Sequence, residues 1–115
     1  MEIQCRDEGD SRLLHVAEDR IDAAVAIAFK DRMRALTDGA PGTVILDLSD
    51  VSFIDSSGLG SIVAAMKQMG SGRKMLLAGL TPNVARVFRL TRMDKVFEIL
   101  DAPAEPAERR AGNGG

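Results

Sequence analysis

The chain has 115 residues, 45% apolar and 28% charged, with a formal net charge of -2. That length and apolar content suit one compact domain with a single core and leave no room for two. Charges of both signs are interspersed along the chain, which argues against nucleic acid or an anionic membrane as a partner, since both need a basic surface.

No apolar run approaches the roughly 20 residues of a membrane span, and the opening MEIQCRDEGD does not read as a signal peptide. The single cysteine excludes an internal disulfide and fits a reducing compartment, so a cytoplasmic location is expected. With one His and one Cys, a protein-only zinc site is not expected, and neither is a cofactor.

The first elements follow from periodicity. Glu2 to Arg6 alternates, with Ile3 and Cys5 on one side. Asp7-Glu8-Gly9-Asp10-Ser11 is turn chemistry, and Leu13 to Ala17 resumes an extended pattern, so residues 2–17 read as a β-hairpin. Cys5 reads as a small buried hydrophobe and His15, between Leu14 and Val16, as a structural or surface residue. Acidic Glu18 to Asp22 leads into a first helix with Asp22 as its N-cap. The stripe Val25, Ala28/Phe29, Met33 and Leu36 has helical spacing, and Gly39 with Pro41 ends it.

The central stretch runs from Thr43 to Lys67. Val44, Ile45, Leu46 and Leu48 read as a strand buried on both faces. Leu59, Ile62, Val63 and Met66 put one apolar stripe on a helix. Between them Asp55-Ser56-Ser57-Gly58-Leu59-Gly60 forms a polar, glycine-containing entrance to that helix. Strand, loop and helix make the first half of a parallel β-α-β unit, whose ligand-facing edge is expected where the helix begins.

That helix runs out at Gly70-Ser71-Gly72, and Lys74 to Ala78 supplies the second parallel strand. Thr81 caps a third helix that Pro82 opens, with Val84, Val87/Phe88 and Thr91 as its stripe. Val96 to Ile99 alternates as a short last strand. From Asp101 apolar periodicity stops, so residues 1–100 read as the domain and 101–115 as a disordered tail. The fold expected is α/β: a mixed sheet with an N-terminal hairpin and three or four helices packed against it.

Catalysis fits these residues poorly. Asp55-Ser56-Ser57-Gly58 is not a Gly-x-Ser-x-Gly elbow, and a triad has only His15 to recruit from a distant strand. Gly58-Leu59-Gly60 lacks the third glycine of a dinucleotide loop, because Val63 stands there, and no Gly-Lys-Ser/Thr follows. Asp47 and Asp55 leave a small phosphotransfer or metal-assisted enzyme as the alternative of another class.

Binding fits better. Gly58 and Gly60 each cost roughly 1 kcal/mol against Ala in a helix interior, less near a terminus. Either the helix start packs tightly inside the molecule or its tip is kept slim for another protein's backbone. Ser56 and Ser57 then display hydroxyls at the positive end of the helix dipole. A phosphate there adds about −1.5 to −2 charges, which the helix end tolerates and a docked partner does not.

Val51-Ser-Phe-Ile-Asp-Ser-Ser-Gly-Leu-Gly-Ser-Ile62 resembles the signature of the STAS domain family, specifically its bacterial anti-sigma factor antagonists. The likeness spans roughly residues 2–100 and includes Ile21-Asp22 and Thr81-Pro82. It implies partner switching: the unphosphorylated form binds an anti-sigma factor that is also a serine kinase of the histidine-kinase-like ATPase type. Phosphorylation releases that partner, and a metal-dependent serine phosphatase restores the serine. By the resemblance Ser56 is the phosphoacceptor, and Asp22, Asp55, Ser57, Gly58, Leu59 and Gly60 belong to the docking edge; the sequence does not fix the oligomeric state, and a monomer is the expectation for the free form. Asp19 stands where family members usually have glycine. A STAS module in a circuit controlling secretion, stress or a cyclase is the alternative within the family.

Overall fold

The computed structural model describes residues 1–40 and 42–100. Its elements, in order, are β1 (Ile3–Glu8), β2 (Ser11–Val16), β3 (Arg20–Ile21), α1 (Ala26–Thr37), β4 (Thr43–Asp47), β5 (Phe53–Ile54), α2 (Ser56–Gln68), β6 (Lys74–Ala78), α3 (Pro82–Leu90) and β7 (Glu98–Leu100). A 3-10 turn, Met93–Lys95, separates the last two. The expected tail from Asp101, and the Pro41 assigned to the end of the first helix, lie outside the described residues.

The main sheet has the order β1-β2-β4-β6-β7, antiparallel in the hairpin and parallel thereafter. This is the mixed sheet expected from the sequence, with three helices. Gly9 and Asp10 alone form the hairpin turn, where Gly9 adopts φ +59°, a conformation that costs glycine little. From β2 onward the order advances in one direction. Right-handed crossovers then bring all three helices to the same face. The single core lies there, with Leu14, Val16, Val44, Leu46, Met75 and Leu77 of the sheet meeting Phe29 and Met33 of α1, Ile62 of α2, and Val84 and Phe88 of α3.

One-sided cover corrects the reading of β4 as buried on both faces, and holds for β6 beside it. Pairing aligns Leu13, Ile45 and Leu76 in one row on the opposite side of the sheet, where Ile45 and Leu76 are only half-buried. Their apolar runs reflect a central position in the sheet, not two covering layers. Cys5 is corrected as well: it is exposed, because β1 is an edge strand of which only Ile3 reaches the core.

Two caps also differ. Helix α1 begins at Ala26 with Val25 at its N-cap position and no side-chain cap bond. Asp22 instead closes a turn ahead of the helix, its Oδ1 accepting from the Ala24 amide at 3.1 Å and its carbonyl from Val25 at 3.0 Å. Thr81 does occupy the N-cap position of α3, with Pro82 first in the helix. Its hydroxyl, however, donates to the Val51 carbonyl at 2.6 Å and so fastens α3 to the chain between β4 and β5. In both cases a tertiary acceptor or a local turn outcompetes the helix's own amides.

Candidate partner-docking edge

The edge is built by the smallest elements of the fold. β3 and β5, two residues each, pair in parallel with Arg20 opposite Phe53 and Ile21 opposite Ile54. Ile21 and Ile54 are buried and anchor the pair in the core. Because parallel strands in register leave the sheet side by side, the residues that follow, Asp22 and Asp55, emerge together although 33 positions apart in sequence. Asp19 stabilises the same junction: its carboxylate accepts from the Ser52 hydroxyl at 2.7 Å and its carbonyl from the Ser52 amide at 2.8 Å. Arg20 lies over the Phe53 ring, 5.1 Å from the centroid, covering part of an exposed aromatic.

Asp55 is the hinge between this junction and α2. As the N-cap it accepts the Gly58 amide on Oδ1 at 2.8 Å, and its Oδ2 accepts the Ala23 amide at 3.1 Å. One carboxylate thus satisfies a free amide of α2 and ties the Asp22 turn to the helix start. The bond from Gly58, with further help from Ala23, holds the Asp55 carboxyl below its ordinary pKa.

With Asp55 as the cap, Ser56 and Ser57 are the first two residues of the helix, and both are exposed. The two glycines divide between the two roles the sequence left open. Gly58 is buried, and a Cβ built on it would overlap the Ile21 carbonyl oxygen and lie 2.7 Å from the Ile21 carbonyl carbon. Its bareness lets α2 press against the backbone of β3. Around Gly60, which is exposed, a Cβ would meet nothing within 4 Å. Leu59 is buried beneath the edge. The solvent-facing residues of the sequence-derived set are therefore Ser56, Ser57 and Gly60, with Asp22 and Asp55 half-buried between them; Gly58 and Leu59 act from underneath.

A side-chain cluster that sequence reading left unassembled stands next to this edge. His15 Nδ1 lies 3.0 Å from Asp47 Oδ2, and Nε2 lies 2.8 Å from Asp50 Oδ2. Asp47 is buried and also accepts the Ser49 amide at 3.0 Å. A neutral imidazole has one N–H, so only the imidazolium donates to both carboxylates. Partial burial pulls the His15 pKa down, but the hydrogen bonds it donates to Asp47 and Asp50 prevail and leave it above the ordinary imidazole value. The clamp holds the chain just after β4, which then runs on through β5 to Ser56. Asp47 and Asp55, the carboxylates of the enzyme reading, are thus engaged separately, one with His15 and Ser49, the other with Ala23 and Gly58. Among the described residues, no three or more His, Cys, Asp or Glu side chains are grouped to hold a metal ion. No described helix is long and apolar enough to cross a membrane.

The family model described as the STAS domain matches residues 3–106. A Listeria monocytogenes protein named anti-sigma-B factor antagonist is 29% identical over 106 residues, covering 91% of each chain. The crystal structure of an anti-sigma factor antagonist from Mycobacterium paratuberculosis superposes with a TM-score of 0.79 at 25% identity, over 88% of this chain and 86% of that one. The Bacillus cell fate determinant SpoIIAA in its phosphorylated form gives a TM-score of 0.67 at 20% identity, over 96% and 99% of the two chains, a likeness of fold.

Proposed function

The chain belongs to the STAS domain family, and from that premise we propose that it is an anti-sigma factor antagonist working by partner switching. Unphosphorylated, it binds an anti-sigma factor that is also a serine kinase of the histidine-kinase-like ATPase type. Phosphorylation of Ser56 releases that partner, and a metal-dependent serine phosphatase reverses the modification. The cytoplasm is where such a circuit operates.

The observation that carries this reading is the division of labour at the start of α2. Asp55, not Ser56, caps the helix, and Ser56 stands exposed as its first residue. A phosphate on Ser56 therefore displaces no cap, and the helix dipole favours it by about 0.3–1 kcal/mol. A partner seated on the same edge would have to bury an unpaired dianion beside Asp55, which costs several kcal/mol. Every 1.4 kcal/mol is tenfold in affinity, so the interface responds where the fold does not. Asp22, Asp55, Ser57 and Gly60 form the rest of the contact surface, and Gly58 and Leu59 set its height.

The test is phosphorylation of the full chain by an anti-sigma factor kinase of this type with ATP and magnesium, followed by peptide mass spectrometry. We expect phosphate on Ser56, lost in Ser56→Ala and retained in Ser57→Ala. Phosphate on another serine, or an acid-labile aspartyl phosphate on Asp47 or Asp55, would overturn the assignment.

A further inference from the structure

A second surface begins beside the edge, where Arg86 lines a depression with Phe53 of β5, and runs along α3 away from it. Basic residues are concentrated on α3 and the turn after it: Arg86, Arg89, Arg92 and Lys95, all exposed, with Asp94 as the single acid among them. The whole chain carries a net charge of -2, so this patch opposes the sign of the rest of the molecule. Two large apolar side chains stand in it, Leu90 at 74% exposure and Val96 at 50%. Leu90 follows Arg86 by one helical turn and so shares its outward face, while Val84 and Phe88 take the inward one.

The helix dipole explains only part of this. Cations favour the C-terminal end of a helix, which accounts for Arg89 and Arg92. It gives no reason for leucine at position 90, in water among cations. Arg92 also adopts φ +64°, a left-handed conformation that glycine occupies with less strain.

We infer that the outer face of α3, from Arg86 to Val96, is a docking surface for an acidic segment of a partner protein whose own apolar side chain seats between Leu90 and Val96. Charge complementarity selects the acid, and the exposed leucine and valine select a peptide over bare phosphate. An anionic bilayer fits less well, because Asp19, Asp22, Asp50 and Asp55 line the adjoining edge and would be driven toward the same surface. Duplex DNA or RNA would leave Leu90 and Val96 unused. The beginning of α3 is fastened to Val51 through Thr81, whereas Leu90 lies about 12 Å farther along the helix axis. The far end of the surface, at Leu90, therefore lies away from the β5 junction, whereas Arg86 stands beside Phe53.

The experiment titrates the isotopically labelled full chain with a synthetic peptide alternating Glu with Leu and Phe, and follows backbone amides by NMR. We expect shifts centred on residues 86–96, and affinity that weakens as salt is raised. Affinity should fall tenfold or more in the double variant Arg89→Glu/Lys95→Glu, and several-fold in Leu90→Ser. Poly-glutamate without apolar residues should bind several-fold more weakly. Scattered shifts, or binding insensitive to both variants, would overturn the inference. So would tighter binding to phosphatidylglycerol vesicles or duplex DNA than to the peptide, or the same shifts appearing when the chain alone is concentrated. Ser56 phosphorylation in Arg89→Glu/Lys95→Glu should proceed as in the parent chain, so failure of this surface and failure of the switching reading register separately.

Discussion

Replacing Gly58 and Gly60 by alanine in turn should change stability in opposite directions. Both lie near the start of α2, and propensity alone favours alanine at each by up to about 1 kcal/mol. At position 58 the added methyl collides with the Ile21 carbonyl group and comes within 3.0 Å of Ile54 Cγ1. Ile21 cannot yield easily, since it is fully buried and its strand is held by pairing with β5 and by the Ser52–Asp19 bonds. Relief must come from lifting the first turn of α2, which also pulls the Gly58 amide from Asp55. Overpacking of this kind costs typically about 1–3 kcal/mol, and here it outweighs the helix-propensity gain. The melting temperature of Gly58→Ala should fall by at least several degrees, at about 4–8 °C per kcal/mol for a domain near this size. Around Gly60 there is no atom to collide with, so Gly60→Ala should keep its propensity gain and melt a few degrees higher. The chain has no Trp or Tyr, so circular dichroism at the helix band is the suitable probe. Equal effects of the same sign would refute the assignment of Gly58 to internal packing. If the bare tip also serves the partner, Gly60→Ala should bind the kinase more weakly while being the more stable protein.

The remaining expectations concern charge. Ser56→Asp should weaken kinase binding tenfold or more, about 1.4 kcal/mol, and leave the melting temperature nearly unchanged, as read by calorimetry beside a binding titration. Asp55→Ala should destabilise, because the Gly58 and Ala23 amides lose their acceptor together; hydrogen exchange should rise first at residues 23–25 and 56–59. Since the Asp55 pKa is lowered in the folded state, its contribution is present above the ordinary carboxylate value and disappears as pH falls through the lowered one. His15 has the opposite sign. Its raised pKa gives stability that is complete below the ordinary imidazole value and lost as pH rises through the folded one. Urea midpoints measured across that range should decline with pH in the parent chain and stay flat in His15→Gln.

Much of the edge was legible in the sequence because its signals are local. Helix spacing, glycines after helices, and the polar hexapeptide ahead of a buried stripe depend on neighbours within one or two turns. The β3–β5 pair was not legible, because two-residue strands have no periodicity to detect. Nor was the His15 clamp, whose parts are separated by 32 and 35 positions. The cap bonds missing at Asp22 and Thr81 have a related origin: Thr81 keeps its N-cap position and Asp22 does not, but in each a local turn or a distant carbonyl claimed the side chain's hydrogen bond.

By itself the sequence determined the succession of the longer elements, the strand–loop–helix unit at the centre, and a serine at the head of a helix. Only the tertiary structure decided which face of that helix is open, that Gly58 serves the interior while Gly60 faces water, and that His15 meets Asp47 and Asp50. The physical reason is that propensity and periodicity act through bonds a few residues long. Burial and charge grouping depend on which distant segments the sheet register brings together.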